Sequence, residues 1–390
     1  MNSNRPAPSR TRVRKGYGTP PSVDGHPGWV QQSVRQYVWL TAIILAMQGF
    51  LAGAGPVLQS ARSAAWWVVA LGALCGMMVW LPVWGMMRGK EAVSLDEAFC
   101  EAYGRIAGGM VTMLYVTLAA FDAILALRAV GSIVRQYLLE NANEIVVIIF
   151  MILALTLAIF RHNIKGLSRL NWMLRRVIVF PVMVCCLFML QNARVDHLFP
   201  PLGNSVHDTL FSLPVAASGF SGIVILGMLP PETGSAKFVR FRTGIFSLLL
   251  AGAMAVFLVL VVNLCIPPRA VAPRLVWGHQ LMIAAEYVQN RTFRLIYLLL
   301  LTLALGIAAG GSISTGSMML HKTFGTDKGK WGTLLIGCVM VALSLQTSQR
   351  FTNQIAEWMV YRLPIAAIPP WITWCVLLIK RRRRRKEATQ

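Results

Sequence analysis

The chain has 390 residues, of which 56% are hydrophobic and 13% charged, and its mean hydropathy is +0.59. Soluble domains carry about a quarter charged residues, so this composition excludes soluble enzymes and soluble nucleic-acid-binding domains. The net charge of +22 does not indicate a nucleic-acid partner, because about 13 of the 37 Lys and Arg residues lie in the two terminal tails, as in the flanks of an integral membrane protein.

Both ends of the chain are basic and polar. Residues 1–36 are rich in Pro and Ser and lack apolar periodicity, which predicts a disordered cytoplasmic tail. The first apolar run starts too late for a cleaved signal peptide. Residues 380–390 form a second basic cytoplasmic tail, whose arginine run either anchors the topology or binds anionic membrane lipids.

Between the tails, residues 37–379 predict one transmembrane domain of about ten helices, each needing about 20 apolar residues. The predicted spans are 37–58, 64–87, 107–134, 145–160, 177–190, 211–229, 244–266, 293–319, 332–345 and 355–379. With the N-terminus inside, about 27 Lys and Arg residues face the cytoplasm and about seven face outward. The sequence therefore predicts an all-α integral membrane protein with both termini cytoplasmic.

Two spans carry clusters of small residues and proline that predict broken helices lining a cavity. These are the first and sixth spans, the leading helices of two five-helix halves. The candidate ligand-binding residues are Gly53, Ala54 and Gly55 in the first span, and Ser218, Gly219, Phe220 and Ser221 in the sixth. Close helix packing is the alternative role for such clusters.

The eighth span is also rich in small residues, and its Ser312 either faces a ligand or lies at a packed helix interface. Asp122 lies near the midpoint of the third span, where a charge is costly. It either pairs across helices, binds the ammonium group of an amino acid, or stays protonated. Arg128, Glu357 and Arg362 are further charges with a coupling or structural role.

No cofactor or metal site is predicted from the sequence. The seven cysteines are scattered through apolar runs, without a CxxC pair or a Cys/His cluster. Neither HExxH nor GxSxG occurs, which argues against an enzyme.

Several motifs in order resemble one known family. They are the glycine-interrupted first span from Gly49 to Pro56, Ser94-Leu95-Asp96-Glu97, Tyr103-Gly104-Arg105-Ile106-Ala107-Gly108, Leu127-Arg128, Gly166-Leu167-Ser168-Arg169, Leu198-Phe199-Pro200-Pro201-Leu202-Gly203 and Arg291. From about residue 32 to residue 380 the chain resembles the B subunit of spore germinant receptors (GerAB type), a branch of the amino acid–polyamine–organocation (APC) transporter superfamily.

The resemblance implies a permease-like, LeuT/APC-like fold: a five-plus-five inverted repeat with broken helices 1 and 6 and a central site between helices 1, 3, 6 and 8. It implies a receptor that binds a small germinant, most often an amino acid, together with an A subunit and a lipoprotein C subunit in the bacterial cell membrane or spore inner membrane. The alternative is a proton- or sodium-coupled amino-acid permease.

Overall fold

The computed structural model describes residues 27–87, 94–134, 144–203, 205–224, 227, 236–265, 291–324, 339 and 349–387, and within them all regular structure is helical. The main helices are α1 (Pro27–Ala52), α2 (Ala65–Met87), α3 (Leu95–Tyr103), α4 (Arg105–Ile133), α5 (Glu144–Met189), α6 (Val206–Phe220), α7 (Ala236–Cys265), α8 (Arg291–Phe324) and α9 (Gln349–Glu387). Short 3₁₀ and π segments continue or connect several of them.

Six stretches of the described chain are long and apolar enough to cross a membrane. They are Arg35–Met87, Arg105–Gly131, Leu167–Met189, Phe241–Cys265, Leu295–Leu320 and Tyr361–Arg383. The first of these contains both the first and the second predicted spans, and the predicted ninth span, 332–345, lies outside the described residues except for residue 339. Helix α1 begins at Pro27, so residues 27–36 of the predicted disordered tail are helical.

Helix α5 corrects the predicted loop between the fourth and fifth spans. The sequence predicts two short spans joined by a basic loop at 161–176, whereas the structure has one helix of 46 residues. At 1.5 Å per residue this helix is about 69 Å long, well beyond the thickness of a bilayer. The physical reason is that Arg, Lys, Leu and Met favour helix, so a cluster of positive charge need not end one.

Helix α1 lies at the centre of the packed bundle. It packs against α5, α6, α7 and α8, while α8 also packs along α4. The α1 side chains from Ala42 to Ala46 are almost completely buried. Small residues permit the closest crossing: a Cβ atom added to Gly219 of α6 would lie 2.8 Å from the Cα atom of Gly49 in α1. Glycines at both positions therefore bring the two backbones together.

One end of the bundle gathers two loops that the sequence places on the outer side of the membrane, at Ser63 and Pro200, and the outer end of the predicted seventh span. Ser63 donates a 2.6 Å hydrogen bond to the carbonyl of Pro200, and Asn263 donates one of 3.4 Å to the carbonyl of Ser63. At the opposite end, Lys380 donates hydrogen bonds of 3.0 and 2.8 Å to the carbonyls of Glu101 and Ala102 in α3. Segments predicted to share a side of the membrane thus share an end of the molecule.

The two interrupted helices differ in form. Helix α1 continues through a π-helical segment, Gly53–Val57, that contains Pro56. Proline cannot donate the regular helical hydrogen bond, and the wider π turn accommodates the defect without ending the helix. Helix α6 instead ends at Phe220, and the chain then forms a 3₁₀ turn, Ser221–Ile223.

Candidate ligand site

A buried ion pair joins the middle of α4 to α9. The Nη2 atom of Arg362 lies 2.7 Å from Oδ2 of Asp122, and the two side chains are only 8% and 4% exposed. A buried charge is costly unless it is paired, so this contact accounts for the presence of Asp122 inside an apolar helix. Of the three roles left open for Asp122 by the sequence, the structure shows the cross-helix pair.

Gln48 of α1 completes a three-helix polar cluster. Its Nε2 atom donates a 2.9 Å hydrogen bond to Oδ2 of Asp122, while its Oε1 atom accepts one of 3.5 Å from Nη2 of Arg362. An amide carries both a donor and an acceptor, so one side chain contacts both charges. We call Gln48, Asp122 and Arg362 the polar triad.

The break after α6 lies directly against the polar triad. A Cβ atom added to Gly222 would overlap Oε1 of Gln48 and lie 3.4 Å from Nη2 of Arg362. The absence of a side chain at Gly222 lets Gln48 and Arg362 approach the backbone of the 3₁₀ turn. The glycine at this position therefore has a specific role in placing the triad beside the helix break.

A small cavity of about 20 Å³ adjoins Asp122 and Arg362. The other lining residues come from α4, the break after α6, α8 and α9, and they are Tyr115, Leu118, Ala119, Ser221, Gly222, Val224, Thr315 and Ala366. A volume of this size admits one or two water molecules, whereas a site for a small organic ligand usually measures hundreds of cubic ångströms.

Three predicted site residues lie at close helix contacts and are not among the residues that line the cavity. A Cβ atom added to Gly53 would lie 2.7 Å from Cγ2 of Val69 and 2.8 Å from Cγ2 of Val259, so Gly53 lies between α2 and α7. Gly219 packs on α1, and the buried ring of Phe220 lies against Gly49. The positions of these three residues agree with close helix packing, the alternative role that the sequence leaves open for them.

The remaining sixth-span serines form hydrogen bonds within their own segment. Ser218 donates a 2.6 Å hydrogen bond to the carbonyl of Val215, and Ser221 donates one of 2.6 Å to the carbonyl of Ser218. Only Ser221 borders the cavity. Of the predicted ligand-binding residues, the structure therefore brings Asp122 and Ser221 together at one cavity. Arg362, which the sequence predicts as a coupling or structural charge, lines the same cavity.

Other predicted residues lie elsewhere. The hydroxyl of Ser312 is buried and has no hydrogen-bond partner within the described part of the chain. Arg128 is half-buried on α4 and is not among the residues lining the cavity. Gly55 is buried in the π segment that also contains Ala54, while Glu357 lies in α9. The side chains of Ala54 and Glu357 lie outside the described set.

Sequence reasoning missed Gln48, Tyr115 and Thr315. Gln48 had a usable signal, since an amide within an apolar span needs a partner for the same reason as Asp122 does. Tyr115 donates a 3.0 Å hydrogen bond to the carbonyl of Ala366, and Thr315 donates one of 2.8 Å to the carbonyl of Gly311. Their pattern in the sequence does not distinguish them from ordinary membrane-helix residues.

Residues 32–352 match the family described as spore germination protein. This match covers more than half of the chain. The chain belongs to the spore germination protein family. The resemblance found in the sequence is thereby confirmed. No curated protein sequence matches the chain.

The fold of this spore germination protein is that of known transporters. It is similar to Mhp1, a nucleobase-cation-symport-1 family transporter in a closed conformation with bromovinylhydantoin bound, with a TM-score of 0.60, 15% identity, and coverage of 83% of this chain and 77% of Mhp1. It is also similar to a variant of the Eremococcus coleocola manganese transporter, with a TM-score of 0.56, 13% identity, and coverage of 91% and 86%.

These likenesses show the fold alone because the identities are low. The protein is an all-helical, multi-pass membrane protein with a LeuT-like transporter fold. This confirms the predicted class of fold. The count of ten spans, the inverted repeat and the cytoplasmic termini stay predictions.

Proposed function

We propose that this spore germination protein is a membrane subunit of a germinant receptor that binds a small germinant, with amino acids as the favoured class. The ligand binds in the cavity beside the polar triad, at the break after α6. The binding state is then passed to a receptor A subunit and a lipoprotein C subunit. Both termini are cytoplasmic, and the basic end of α9 contacts anionic lipid.

The observation that carries this proposal is the buried Asp122–Arg362 pair, which borders a cavity at a helix break. Charged residues within membrane helices are rare and mark ligand or ion pathways. Transporter folds bind substrate near the midplane where helices are interrupted, because backbone and side-chain polar groups become available there. The pair, the break and the cavity coincide in this protein.

A proton- or sodium-coupled amino-acid permease is the second candidate. The observation that favours it is the likeness of the fold to those of transporters over most of the chain. A sensor and a permease share a central cavity, so the two candidates differ in the step after ligand binding. A permease releases its ligand on the other side, whereas a sensor changes its contacts with partner subunits.

Two measurements on the full-length protein test the proposal. We expect stable co-purification with an A-type subunit and a C-type lipoprotein when the three are co-expressed. We also expect one or more compounds from a panel of amino acids, sugars and nucleosides to raise the melting temperature of the purified protein, because a ligand that binds only the folded state stabilises it.

Uptake of the radiolabelled compound into proteoliposomes separates the two candidates. The receptor proposal predicts binding without sustained uptake. A solitary protein that accumulates amino acid against a gradient, and that does not associate with either subunit, would instead be a permease. A protein that binds no member of the panel and associates with neither subunit would overturn both.

A further inference from the structure

We propose that the Asp122–Arg362 ion pair recognises a zwitterionic ligand, an α-amino acid with both charges free, by exchanging partners with it. The ligand carboxylate replaces Asp122 as the partner of Arg362, and the ligand ammonium group replaces Arg362 as the partner of Asp122. This inference rests on the proposed function, which already favours amino acids, and adds which side chains recognise the two ligand charges and how the closed site opens.

The guanidinium group of Arg362 is incompletely hydrogen-bonded within the described part of the chain. A guanidinium group has five N–H donors. The contacts to Asp122 and Gln48 both use Nη2, while Nε and Nη1 have no hydrogen-bond partner among the described residues. Buried donors without partners cost free energy. A ligand carboxylate beside the cavity-lining Arg362 offers acceptors that Asp122 alone does not supply.

The volume of the cavity requires the site to open before a ligand can bind. The cavity of about 20 Å³ is too small for any amino acid, so binding requires lining side chains to move apart. The 2.7 Å contact between Arg362 and Asp122 joins α9 to α4 across one edge of that cavity. Separation of these two side chains is the displacement that both enlarges the cavity and exposes two opposite charges to it.

The charges of the buried pair restrict which ligands can separate Asp122 from Arg362. Separating a buried ion pair without replacing the lost partners leaves two unpaired charges at low dielectric, which is strongly unfavourable. A neutral ligand supplies neither replacement, and an amine or a carboxylic acid supplies only one. A zwitterion supplies both and leaves the net charge of the site unchanged. The cost of opening therefore selects for ligands that carry both charges.

Gln48 fits this exchange because its amide can stay bonded to a charge on either side. It donates to Asp122 and accepts from Arg362 in the closed site, at 2.9 and 3.5 Å. Ser221 and Thr315 also line the cavity, but their hydroxyls donate to carbonyls within their own segments. Asp122 and Arg362 are thus the part of the cavity wall whose partners can be exchanged, and Gln48 contacts both of them.

The first test needs only the wild-type protein. Each of the twenty L-amino acids is titrated against the purified protein, and each one that binds is compared with its primary amide and its des-amino acid. We expect both analogues to bind about 100-fold more weakly, since each leaves one buried charge unpaired. Equal affinity of either analogue, or binding of sugars or nucleosides but no amino acid, would overturn the inference while leaving the proposed function in place.

The second test removes both charges together. In Asp122→Asn with Arg362→Gln, no buried charge is left without a partner, so we expect a folded protein that binds the amino acid about 100-fold more weakly. The matched control is Asp208→Asn with Arg382→Gln, the same changes at exposed positions, and it should bind as wild type does. Unchanged affinity in the Asp122/Arg362 double variant would overturn the inference.

The two tests keep the inference separate from the function on which it rests. If the double variant fails to fold, the analogue series on the wild-type protein decides the inference by itself. If the wild-type protein binds no small molecule in the panel and associates with neither partner subunit, the proposed function falls, and the inference falls with it.

Discussion

The interruptions of the first and sixth spans look alike in sequence and differ in the structure. In the first, Gly53 lies in a π segment and is enclosed by Val69 and Val259. In the second, the chain changes to a 3₁₀ turn at Ser221, and a Cβ atom added to Gly222 would meet Gln48 and Arg362 beside the cavity. The small residue in the first interruption is surrounded by apolar side chains, whereas the one in the second lies against polar side chains.

A cluster of small residues in the sequence therefore marks where a helix is irregular but not which of its faces is polar. The contribution of the first span to the site is Gln48, five residues before Gly53 and about 7.5 Å away along the helix axis. The site therefore lies where buried polar side chains from three helices meet. Substitutions at the two interruptions should accordingly affect different properties of the protein.

The largest effect is expected from Arg362→Ala, at the polar interruption. Removing one partner leaves Asp122 buried without its cation, which should lower the free energy of unfolding by about 3–5 kcal/mol. Thermal unfolding of the purified protein measures this loss, and exposed Arg382→Ala serves as the control. Adding Asp122→Asn to Arg362→Ala should recover much of it, because coupled partners are not additive. Equal stability of Arg362→Ala and wild type would show that the pair contributes nothing to folding.

A smaller effect is expected from Gly53→Ala, at the packed interruption. The new methyl group would lie 2.7 Å from Cγ2 of Val69, and such overpacking should cost about 1–3 kcal/mol. The control is Gly109→Ala, whose Cβ atom would lie 3.5 Å from Cγ2 of Thr323, an ordinary van der Waals contact. The amino-acid affinity of folded Gly53→Ala should match that of wild type. If Gly53→Ala instead lowers the ligand affinity without lowering the stability, the first interruption takes part in ligand binding.

Gly222→Ala changes the interruption that borders the cavity. Its methyl group would displace the amide of Gln48, so we expect ligand affinity to change by a larger factor than in Gly53→Ala. The ratio of the two affinities, measured by titration at matched fractions of folded protein, sharpens the contrast between the interruptions. If both alanine variants change affinity equally, the two interruptions do not differ in function.

The smallest effect is expected from Ser312→Ala on α8, and its sign is opposite. The Ser312 hydroxyl is buried without a hydrogen-bond partner in the described part of the chain, so its removal should raise stability by up to about 1 kcal/mol. The matched control is Ser317→Ala, which removes a 2.9 Å hydrogen bond to the carbonyl of Ser314 and should lower stability. Loss of ligand affinity in Ser312→Ala would instead support the predicted ligand contact.

The sequence predicted the class of fold because length and hydropathy determine which segments can enter a bilayer. It also identified Asp122 and Arg362, since charge inside an apolar span is conspicuous. It did not pair them, because they are 240 residues apart and their meeting depends on how α4 and α9 pack. The prediction of a loop at the basic segment within α5 was wrong for a related reason. A cluster of charge indicates that a segment contacts water, whereas the end of a helix depends on backbone hydrogen bonding.

The end of α9 has a consequence for experiments that shorten the chain. Lys380 donates to the carbonyls of Glu101 and Ala102 at the C-terminal end of α3, and Arg381 donates a 3.2 Å hydrogen bond to the carbonyl of Met86 near the end of α2. Carbonyls in the last turn of a helix have no partner within it, and cations there also offset its dipole. A truncation after Ile379 would therefore remove hydrogen bonds from the C-terminal ends of two other helices. A trafficking or lipid-binding defect in such a protein would then reflect weakened helix packing as well as the loss of positive charge.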